Sequence, residues 1–283
     1  MFQELEKNDK TVILFGGAGN VGKTWGACSW LIIQSLRYPK TVWGLTRARL
    51  ITLKKTSVVT LVRVLKSFNL KEDVHYTFNH EVETITFWNG SKIILFDCYQ
   101  YPTDMEFERL GSLELSGCVI DEASEITEKA YNVIQSRIRF LHKEFNLTPK
   151  LLIVTNPTQN FIKSQIYDRH VDGTLPPNIS VILGLPTDNI YTDQSYIDNL
   201  ERLDNVTKAR LLYGDWNYAD NDDSIFNASK LANAYYNSNF INKNNIKYMS
   251  VDVASTGGDS TVISIWSGLE CYEILKYQHL TIP

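Results

Sequence analysis

Residues 11–24 read TVILFGGAGNVGKT, and no other stretch says more about the architecture of this chain. Thr11–Phe15 is a short, mostly apolar run bounded by charged residues and glycines, which is typical of a buried parallel strand. Residues 17–24 fit the phosphate-loop pattern G-x-x-x-x-G-K-[ST] without a gap. Lys23–Tyr38 then has the apolar spacing of a helix and stops before Pro39. The motif requires a strand before it and a helix after it, so we predict a phosphate-binding loop.

The residue types in this loop fit the binding of a nucleotide. Glycines let the backbone turn with its N–H groups pointing inward as an anion nest. The helix that begins here adds its positive end. We expect Lys23 to reach the β- and γ-phosphates of ATP, and the Thr24 hydroxyl to coordinate Mg²⁺. The predicted nucleotide-binding residues are Gly17, Ala18, Gly19, Asn20, Val21, Gly22, Lys23 and Thr24.

Strand-like runs and helical stretches alternate along much of the chain. We predict strands over Thr41–Leu45, Glu83–Trp88, Lys92–Phe96, Cys118–Ile120, Leu151–Val154, Tyr248–Val253 and Thr261–Trp266, and helices over Leu50–Phe68 and around Tyr131–Leu141. Asn89-Gly90 is a strong hairpin signal between two of these strands. Strands that alternate with helices of this length favour an α/β fold, a mostly parallel sheet flanked by helices.

The composition is that of a soluble globular protein, with 43% hydrophobic and 21% charged residues over 283 positions. A net charge of -4 gives no overall attraction to nucleic acid, so any DNA contact must come from a local basic patch. The four cysteines lack paired spacing, which argues against a disulfide framework or a zinc site. Because no stretch is long and apolar enough to span a bilayer, we expect a cytosolic protein with no membrane partner.

Two carboxylates follow the apolar strand that ends at Ile120. In phosphate-loop ATPases the first acid at this position holds the Mg²⁺ shell and the next one polarises the attacking water. We therefore assign Asp121 to the metal and Glu122 to the role of general base. A kinase does not need a water activator at this position, so Glu122 favours an ATPase.

Polar residues also follow the next predicted strand, Leu151–Val154. The sequence there is Thr155-Asn156-Pro157. A short polar side chain at the carboxyl end of a strand can reach the γ-phosphate or the attacking water, and either Asn156 or Thr155 fits that role. Asn-Pro also initiates ordinary turns, and the sequence leaves this alternative open.

Together these residues resemble the large subunit of a viral DNA-packaging terminase, the tailed-phage ATPase motor that also carries a nuclease. Val119–Ala123 is similar to that family's Walker B strand, and Thr155–Pro157 to its coupling motif. Leu212–Trp216 is similar to the aromatic-Gly-x-Trp signature that closes the ATPase domain. Met249–Ala254, followed by Gly257–Thr261, resembles the opening strands of the family's RNase H-like nuclease.

The resemblance implies an α/β, P-loop NTPase fold of the ASCE type with a lid subdomain, and then the start of an RNase H-like domain. On this basis we expect a P-loop ATPase core over residues 1–185 and a lid over residues 186–222. A linker over residues 223–246 and the N-terminal part of the nuclease domain over residues 247–283 would follow.

A nuclease of this kind needs several carboxylates from separate strands to hold two Mg²⁺ or Mn²⁺ ions. Asp252 is the candidate metal ligand, and Asp259 is the second candidate. The sequence ends at Pro283, soon after the second candidate strand. We therefore expect nuclease activity only in a longer chain.

The sequence departs from many terminases because the loop contains no arginine. Phosphoryl transfer benefits from an arginine finger, often supplied by a neighbouring subunit. Arg47, after the second strand, and Arg139, after the acidic pair, resemble arginines of the family, although either could simply be solvated or face DNA. Arg47, Arg49, Lys54 and Lys55 form the densest basic cluster, which could contact DNA phosphates without reading sequence.

The resemblance implies an ATP-hydrolysing motor, with ATP and Mg²⁺ as cofactors, that translocates double-stranded viral DNA into a procapsid in the cytoplasm of an infected bacterial host. Its implied partners are DNA, the portal protein, the terminase small subunit and further copies of the chain in a ring. Two alternatives remain: another nucleic-acid-dependent P-loop ATPase of helicase or recombinase type, and a nucleotide-dependent binding module with little turnover.

Overall fold

The computed structural model describes residues 1–218, 246–254, 260–268 and 270–278. The chain divides into two compact units, Met1–Tyr218 and Ala219–Pro283. Most of the predicted linker and the candidate Asp259 lie outside the described residues.

The first unit contains a sheet of eight strands with helices on both faces. Its strands are β1 (Val12–Gly17), β2 (Val42–Arg47), β3 (Tyr76–Asn79), β4 (Thr84–Phe87), β5 (Lys92–Asp97), β6 (Gly117–Ile120), β7 (Lys150–Val154) and β8 (Ile179–Gly184). Its helices are α1 (Phe2–Leu5), α2 (Lys23–Arg37), α3 (Leu50–Lys55), α4 (Ser57–Ser67), α5 (Glu128–Arg137), α6 (His142–Phe145), α7 (Asp168–Val171), α8 (Gln194–Glu201) and α9 (Asn205–Leu211). A π-helical turn, Lys163–Tyr167, leads into α7.

The strands of this sheet lie in the order β3-β4-β5-β2-β6-β7-β1-β8. The six from β5 to β8 in that order run parallel, whereas β3 and β4 pair antiparallel at one edge. The hairpin between β4 and β5 turns at Asn89-Gly90, where Gly90 has a φ of 80°. The predicted mostly parallel sheet and its hairpin are therefore confirmed.

Alternate residues of the central strands pack on opposite faces of the sheet. In β1, Ile13 joins a core that includes α2 and α4, while Val12 and Leu14 join a second core that includes α5. Burial on both faces explains why these strands are almost continuously apolar. It also leaves the carboxyl ends of the strands as the edge where polar side chains converge.

The predicted single helix over Leu50–Phe68 is wrong, because the structure divides it into α3 and α4 at Thr56. Thr56 has φ and ψ of -125° and -77°, outside the helical region. Its hydroxyl accepts a hydrogen bond from the Arg47 guanidinium at 3.1 Å. Both helices bury apolar residues in the same core, so the apolar period continues through the break and does not reveal it.

The predicted helix around Tyr131–Leu141 begins earlier and ends sooner, as α5. The hydroxyl of Thr127 caps its first turn by accepting from the Ala130 N–H at 3.3 Å. At the other end Ile138 leaves the helix and forms a parallel bridge with Leu115.

The second unit contains β9 (Lys247–Asp252), β10 (Ser260–Ser267) and β11 (Glu270–Gln278) in one antiparallel sheet of order β11-β10-β9. Two of these strands were predicted from sequence, and β11 was not. Across the described residues of both units, no helix has the length and apolarity needed to cross a membrane.

Candidate active site

The phosphate loop joins β1, which ends at Gly17, to α2, which begins at Lys23. Gly17 has a φ of 121°, and a Cβ at this position would collide with the carbonyl oxygen of Gly184 in β8. Gly22 caps the start of α2 with a φ of 81°. Both glycines therefore hold backbone conformations that L side chains rarely adopt, and the loop requires them where the motif has them.

Lys23 is buried at the centre of the loop, with 7% of its surface exposed. Its ammonium donates to the carbonyl of Ala18 at 2.5 Å and to the side-chain carbonyl of Asn156 at 3.0 Å. Burial lowers the pKa of Lys23 from 10.5 to about 8, and the nearby Glu122 and Asp121 carboxylates partly oppose that shift. The negative charges near Lys23 offset only part of the effect of burial on its ammonium. Such a group is well suited to bind a polyanionic ligand such as a triphosphate.

Thr24 and Asp121 are brought together from α2 and from the end of β6. The Thr24 hydroxyl donates to Asp121 Oδ1 at 3.0 Å. The other carboxylate oxygen, Oδ2, accepts from the Ser57 hydroxyl at 2.6 Å. Burial raises the pKa of Asp121, and the hydrogen bonds from Ser57 and Thr24 work against that rise.

These side chains fit a magnesium ion. A carboxylate and a hydroxyl are hard oxygen donors, and Mg²⁺ is usually held by one or two carboxylates, waters and substrate phosphates. Within the described ranges no group of three or more His, Cys, Asp or Glu side chains could hold a metal by itself. Because Mg²⁺ takes much of its coordination shell from waters and substrate phosphates, the pair formed by Thr24 and Asp121 suits a cation that binds together with phosphate oxygens.

Glu122 follows Asp121 and has a φ of 50°, in the left-handed region. Burial raises the pKa of its carboxyl, with a further rise from the negative charge of Asp121. Arg47 and Lys23 act in the opposite direction. A carboxylate with a raised pKa is a stronger base, as general-base chemistry requires.

The polar residues after β7 divide into one that faces the loop and one that does not. Asn156 accepts the hydrogen bond from Lys23, whereas the Thr155 hydroxyl donates to the backbone carbonyl of Asn156 at 2.8 Å. Of the two candidates, Asn156 is thus the one whose side chain contacts the loop. The next residue, Pro157, accepts a hydrogen bond from Arg210 Nε at 2.9 Å.

The two candidate arginines lie at opposite ends of β6. Arg47 lies beside the site, where its guanidinium forms a two-point ion pair with Glu125 at 2.6 and 3.0 Å. Arg139 is exposed, and its backbone N–H donates to the carbonyl of Leu115. Leu115 precedes the amino end of β6, whereas Asp121 follows the carboxyl end of that strand. The structure therefore does not bring Arg139 to the phosphate loop of its own chain.

The basic cluster predicted from Arg47, Arg49, Lys54 and Lys55 is not a free cluster. Besides the pair of Arg47 with Glu125, Lys54 pairs with Glu83. The Arg49 guanidinium lies 4.0 Å from the centre of the Tyr99 ring. Ion pairing with acids that are distant in sequence thus removes part of the expected positive patch.

Residues 186–218, here called the lid segment, contact the phosphate loop directly. The Gly19 N–H donates to the carbonyl of Leu211 at 2.8 Å. Asn189 Nδ2 donates to the carbonyl of Asn20 at 2.7 Å. These bonds tie the tip of the loop to two separate parts of the lid segment.

Trp216, in the aromatic-Gly-x-Trp element, is fully buried and stacks on Tyr167 of the π-helical turn. The ring centroids are 4.7 Å apart and the planes differ by 11°. A Cβ on Gly16 would lie 2.7 Å from Trp216 Cζ2. The end of the first unit is therefore packed against the residue that precedes the phosphate loop.

Asp252, the candidate nuclease ligand, is the last residue of β9 and pairs opposite Val262 of β10. It is exposed. Its assignment to a metal stays a prediction.

Ser57 and Glu125 contact the site, and reasoning from the sequence did not find them. Both act through residues far away along the chain, Asp121 and Arg47. The pair Thr56-Ser57 inside an otherwise regular helical pattern was the available signal, because hydroxyl residues compete with helix hydrogen bonds.

The geometry defines a class of protein. The phosphate loop follows β1, the acidic pair follows β6, and β7 lies between these two strands, which is the arrangement of the ASCE class of P-loop NTPases. The sequence profile of the phage terminase large subunit family matches residues 8–251. The chain belongs to that family.

Solved structures of large terminases share this fold. The large terminase of the thermophilic bacteriophage D6E is 17% identical with a TM-score of 0.62, and the match covers 95% of this chain and 64% of that one. Its complex with ATP-γ-S is 19% identical with a TM-score of 0.58, covering 95% and 63%. The ATPase domain of the Thermus phage P74-26 large terminase is 11% identical with a TM-score of 0.53, covering 76% and 92%. The chain thus spans less than two thirds of the length of the D6E protein. No curated protein sequence matches it.

Proposed function

We propose that this chain binds and hydrolyses ATP with Mg²⁺ and that the hydrolysis drives double-stranded DNA into a viral procapsid. One observation carries the proposal: Lys23 with Asn156, and Thr24 with Asp121, converge at the carboxyl edge of adjacent strands. The D6E terminase, which shares the fold, binds ATP-γ-S and ADP.

In this proposal Lys23 binds the β- and γ-phosphates and regains its full positive charge there, because a polyanion reverses the effect of burial on its pKa. Thr24 and Asp121 would hold the Mg²⁺, whose charge would offset the negative charge that develops on the phosphates. Glu122 accepts the proton of the attacking water. Asn156, bonded to Lys23 and followed by Pro157, links the γ-phosphate position to Arg210 of the lid segment.

The arginines take different parts in this proposal. Arg47 lies beside the carboxylates of its own chain and would stabilise the transferred phosphate after release from Glu125. Arg139 is exposed and distant from its own loop, so that a catalytic role requires the site of a neighbouring subunit. A homo-oligomeric ring, docked on a portal protein, would supply that neighbour.

For DNA we propose a surface on α3 and α4, here called the basic stripe: Lys55, Arg63 and Lys66. All three are exposed and have no ion-pair partner among the described residues. Residues 50–68 contain no acidic side chain, although the whole chain carries a net charge of -4. Contacts of this kind reach phosphates and are independent of base sequence, as a translocating motor needs.

The remaining assignments complete the proposal. The division into a core (1–185), a lid (186–222), a linker (223–246) and a nuclease portion (247–283) follows the resemblance to terminases. Asp252 would bind Mg²⁺ or Mn²⁺ in a complete nuclease. The small subunit would be a further partner, and the site of action the cytoplasm of the infected host.

Two variants with matched controls test the ATPase. Lys23→Ala should abolish binding of a fluorescent ADP analogue, whereas Lys143→Ala, an exposed lysine, should not. Glu122→Gln should retain binding and lose at least about a hundredfold in turnover, whereas Glu81→Gln should behave as the wild type. Turnover of Glu122→Gln at the wild-type rate would contradict the assignment of the base. Absence of nucleotide binding by the wild-type chain would contradict the proposed function as a whole.

A further inference from the structure

We propose that Ser57 is a positioning residue that orients the Asp121 carboxylate for Mg²⁺. The inference rests on the proposed ATPase function and assigns a role that no motif in the sequence predicts. Its basis is the hydrogen bond of 2.6 Å from the Ser57 hydroxyl to Asp121 Oδ2.

The two oxygens of Asp121 each receive a hydroxyl donor. The Thr24 hydroxyl lies 3.0 Å from Oδ1 and 3.3 Å from Oδ2, whereas Ser57 donates to Oδ2 at the shorter distance of 2.6 Å. Thr24 is itself a proposed metal ligand, so its hydroxyl would coordinate the Mg²⁺ as well as donate to Asp121. Ser57 is the donor whose contact with the carboxylate serves to orient it.

The neutrality of this donor matters. A lysine or arginine in the same place would hold Asp121 equally well, but its positive charge would compete with the cation. A hydroxyl fixes the carboxylate through a short, charge-assisted hydrogen bond and leaves its negative charge in place. Both residues are almost fully buried, with 0% of Ser57 and 2% of Asp121 exposed, so water does not substitute readily for either partner.

The break between α3 and α4 places Ser57 at this point. Thr56 departs from helical geometry, and its hydroxyl accepts from Arg47, which is held in turn by Glu125. Ser57 is then the first residue of α4, and its hydroxyl donates to Asp121. Two elements therefore hold the residue before Ser57 in place. Arg47, at the end of β2, donates to Thr56, and Glu125, in the turn after β6, holds Arg47.

Outer partners that orient a metal ligand commonly change metal affinity by about 10- to 100-fold when they are removed. The test compares the affinity for a fluorescent ADP analogue in Mg²⁺ with the affinity in EDTA. For Ser57→Ala we expect the half-saturating Mg²⁺ concentration to rise about tenfold, with affinity in EDTA changed less than about twofold. Ser116→Ala is the matched control. Ser116 is as buried as Ser57, but it precedes the amino end of β6, whereas Asp121 follows the carboxyl end. It should leave both affinities as in the wild type.

Ser57→Cys is the second variant, since a thiol is similar in size but a weak donor. If Ser57→Ala does not fold, the same rise in the Mg²⁺ requirement of Ser57→Cys supports the proposal. A wild-type response to Mg²⁺ in either folded variant, or an equal loss of affinity with and without Mg²⁺, overturns it. Absence of ADP binding by the wild type in both conditions overturns the proposed function as well, so the two failures are distinguishable.

Discussion

The Lys23 ammonium lies 3.0 Å from Asn156 Oδ1, and this contact joins the phosphate loop to the strand between β1 and β6. Asn156 is neutral, so it holds the lysine without cancelling the charge that phosphates would meet. The next residue, Pro157, is bonded to Arg210 of the lid segment. A change at the phosphates therefore has a short covalent and hydrogen-bonded route to the lid segment.

Asn156→Ala should separate binding from turnover. We expect the affinity for ADP to change less than about threefold, or about 0.7 kcal/mol, because ADP lacks the γ-phosphate whose position Asn156 is proposed to link to the lid segment. Single-turnover hydrolysis should fall at least about tenfold, since loss of positioning acts on the reacting phosphate. Asn199→Ala, an exposed asparagine of α8, is the control. Equal losses in affinity and in turnover would contradict this role of Asn156.

Lys23→Met should change how stability depends on pH. Burial holds the pKa of Lys23 at about 8 instead of 10.5. The unfolded chain therefore binds more protons between these values, and the wild type gains stability as pH rises through that window. The stability of Lys23→Met relative to wild type, measured by urea unfolding without nucleotide, should fall by up to about 3 kcal/mol from neutral pH to the upper end of the window. Lys143→Met should show no such trend.

The contact between Gly16 and Trp216 predicts a coupled pair. Gly16→Ala should destabilise the folded chain by about 1–3 kcal/mol, because its methyl group would overlap the indole ring. Trp216→Phe removes the outer ring and makes room. In the Trp216→Phe background, Gly16→Ala should lower the free energy of unfolding by less than it does in the wild type. A double-mutant cycle of unfolding free energies would measure this difference. Strictly additive effects would mean that the two residues do not compete for the same space.

The basic stripe predicts a salt-dependent effect on DNA binding. Replacing Lys55, Arg63 and Lys66 by alanine should weaken binding to duplexes of any sequence. The slope of log affinity against log salt concentration should decrease in magnitude by about 0.9 for each DNA phosphate that the variant no longer neutralises. A control that removes three exposed cations elsewhere, Lys71→Ala, Lys143→Ala and Arg202→Ala together, should keep the wild-type slope.

The two arginines predict different dependence on enzyme concentration. Arg47→Ala should lower turnover per subunit at every concentration, because Arg47 lies beside the carboxylates of its own chain. Arg139→Ala should lower only the part of the activity that grows with concentration, since its proposed target is a neighbouring subunit. A loss that is independent of concentration for Arg139→Ala would place its action within one chain.

The sequence predicted those features whose signal is local. The phosphate loop, the acidic pair and Asn156 follow apolar strands directly, so one short run of residues contains both the element and the site. Ser57 and Glu125 are different, because their partners Asp121 and Arg47 come from other strands and only the sheet order brings them close. The apolar period does not reveal the break at Thr56, because α3 and α4 bury their apolar residues in one core. Strand β8 was missed although Gly184 shapes the phosphate loop.

Helix α4 has a property that follows from where it begins. Its first residue, Ser57, is bonded to Asp121, and Arg63 and Lys66 lie on its exposed surface about 9–14 Å further along the axis at 1.5 Å per residue. A helix of this length is stiff. Between these residues Val58, Leu61, Val64 and Leu65 are buried in the core, so the surface that carries the two cations and the end that holds Asp121 belong to one packed body. If the proposed DNA contact is made there, any displacement of the helix that it causes would change the position of Ser57 as well.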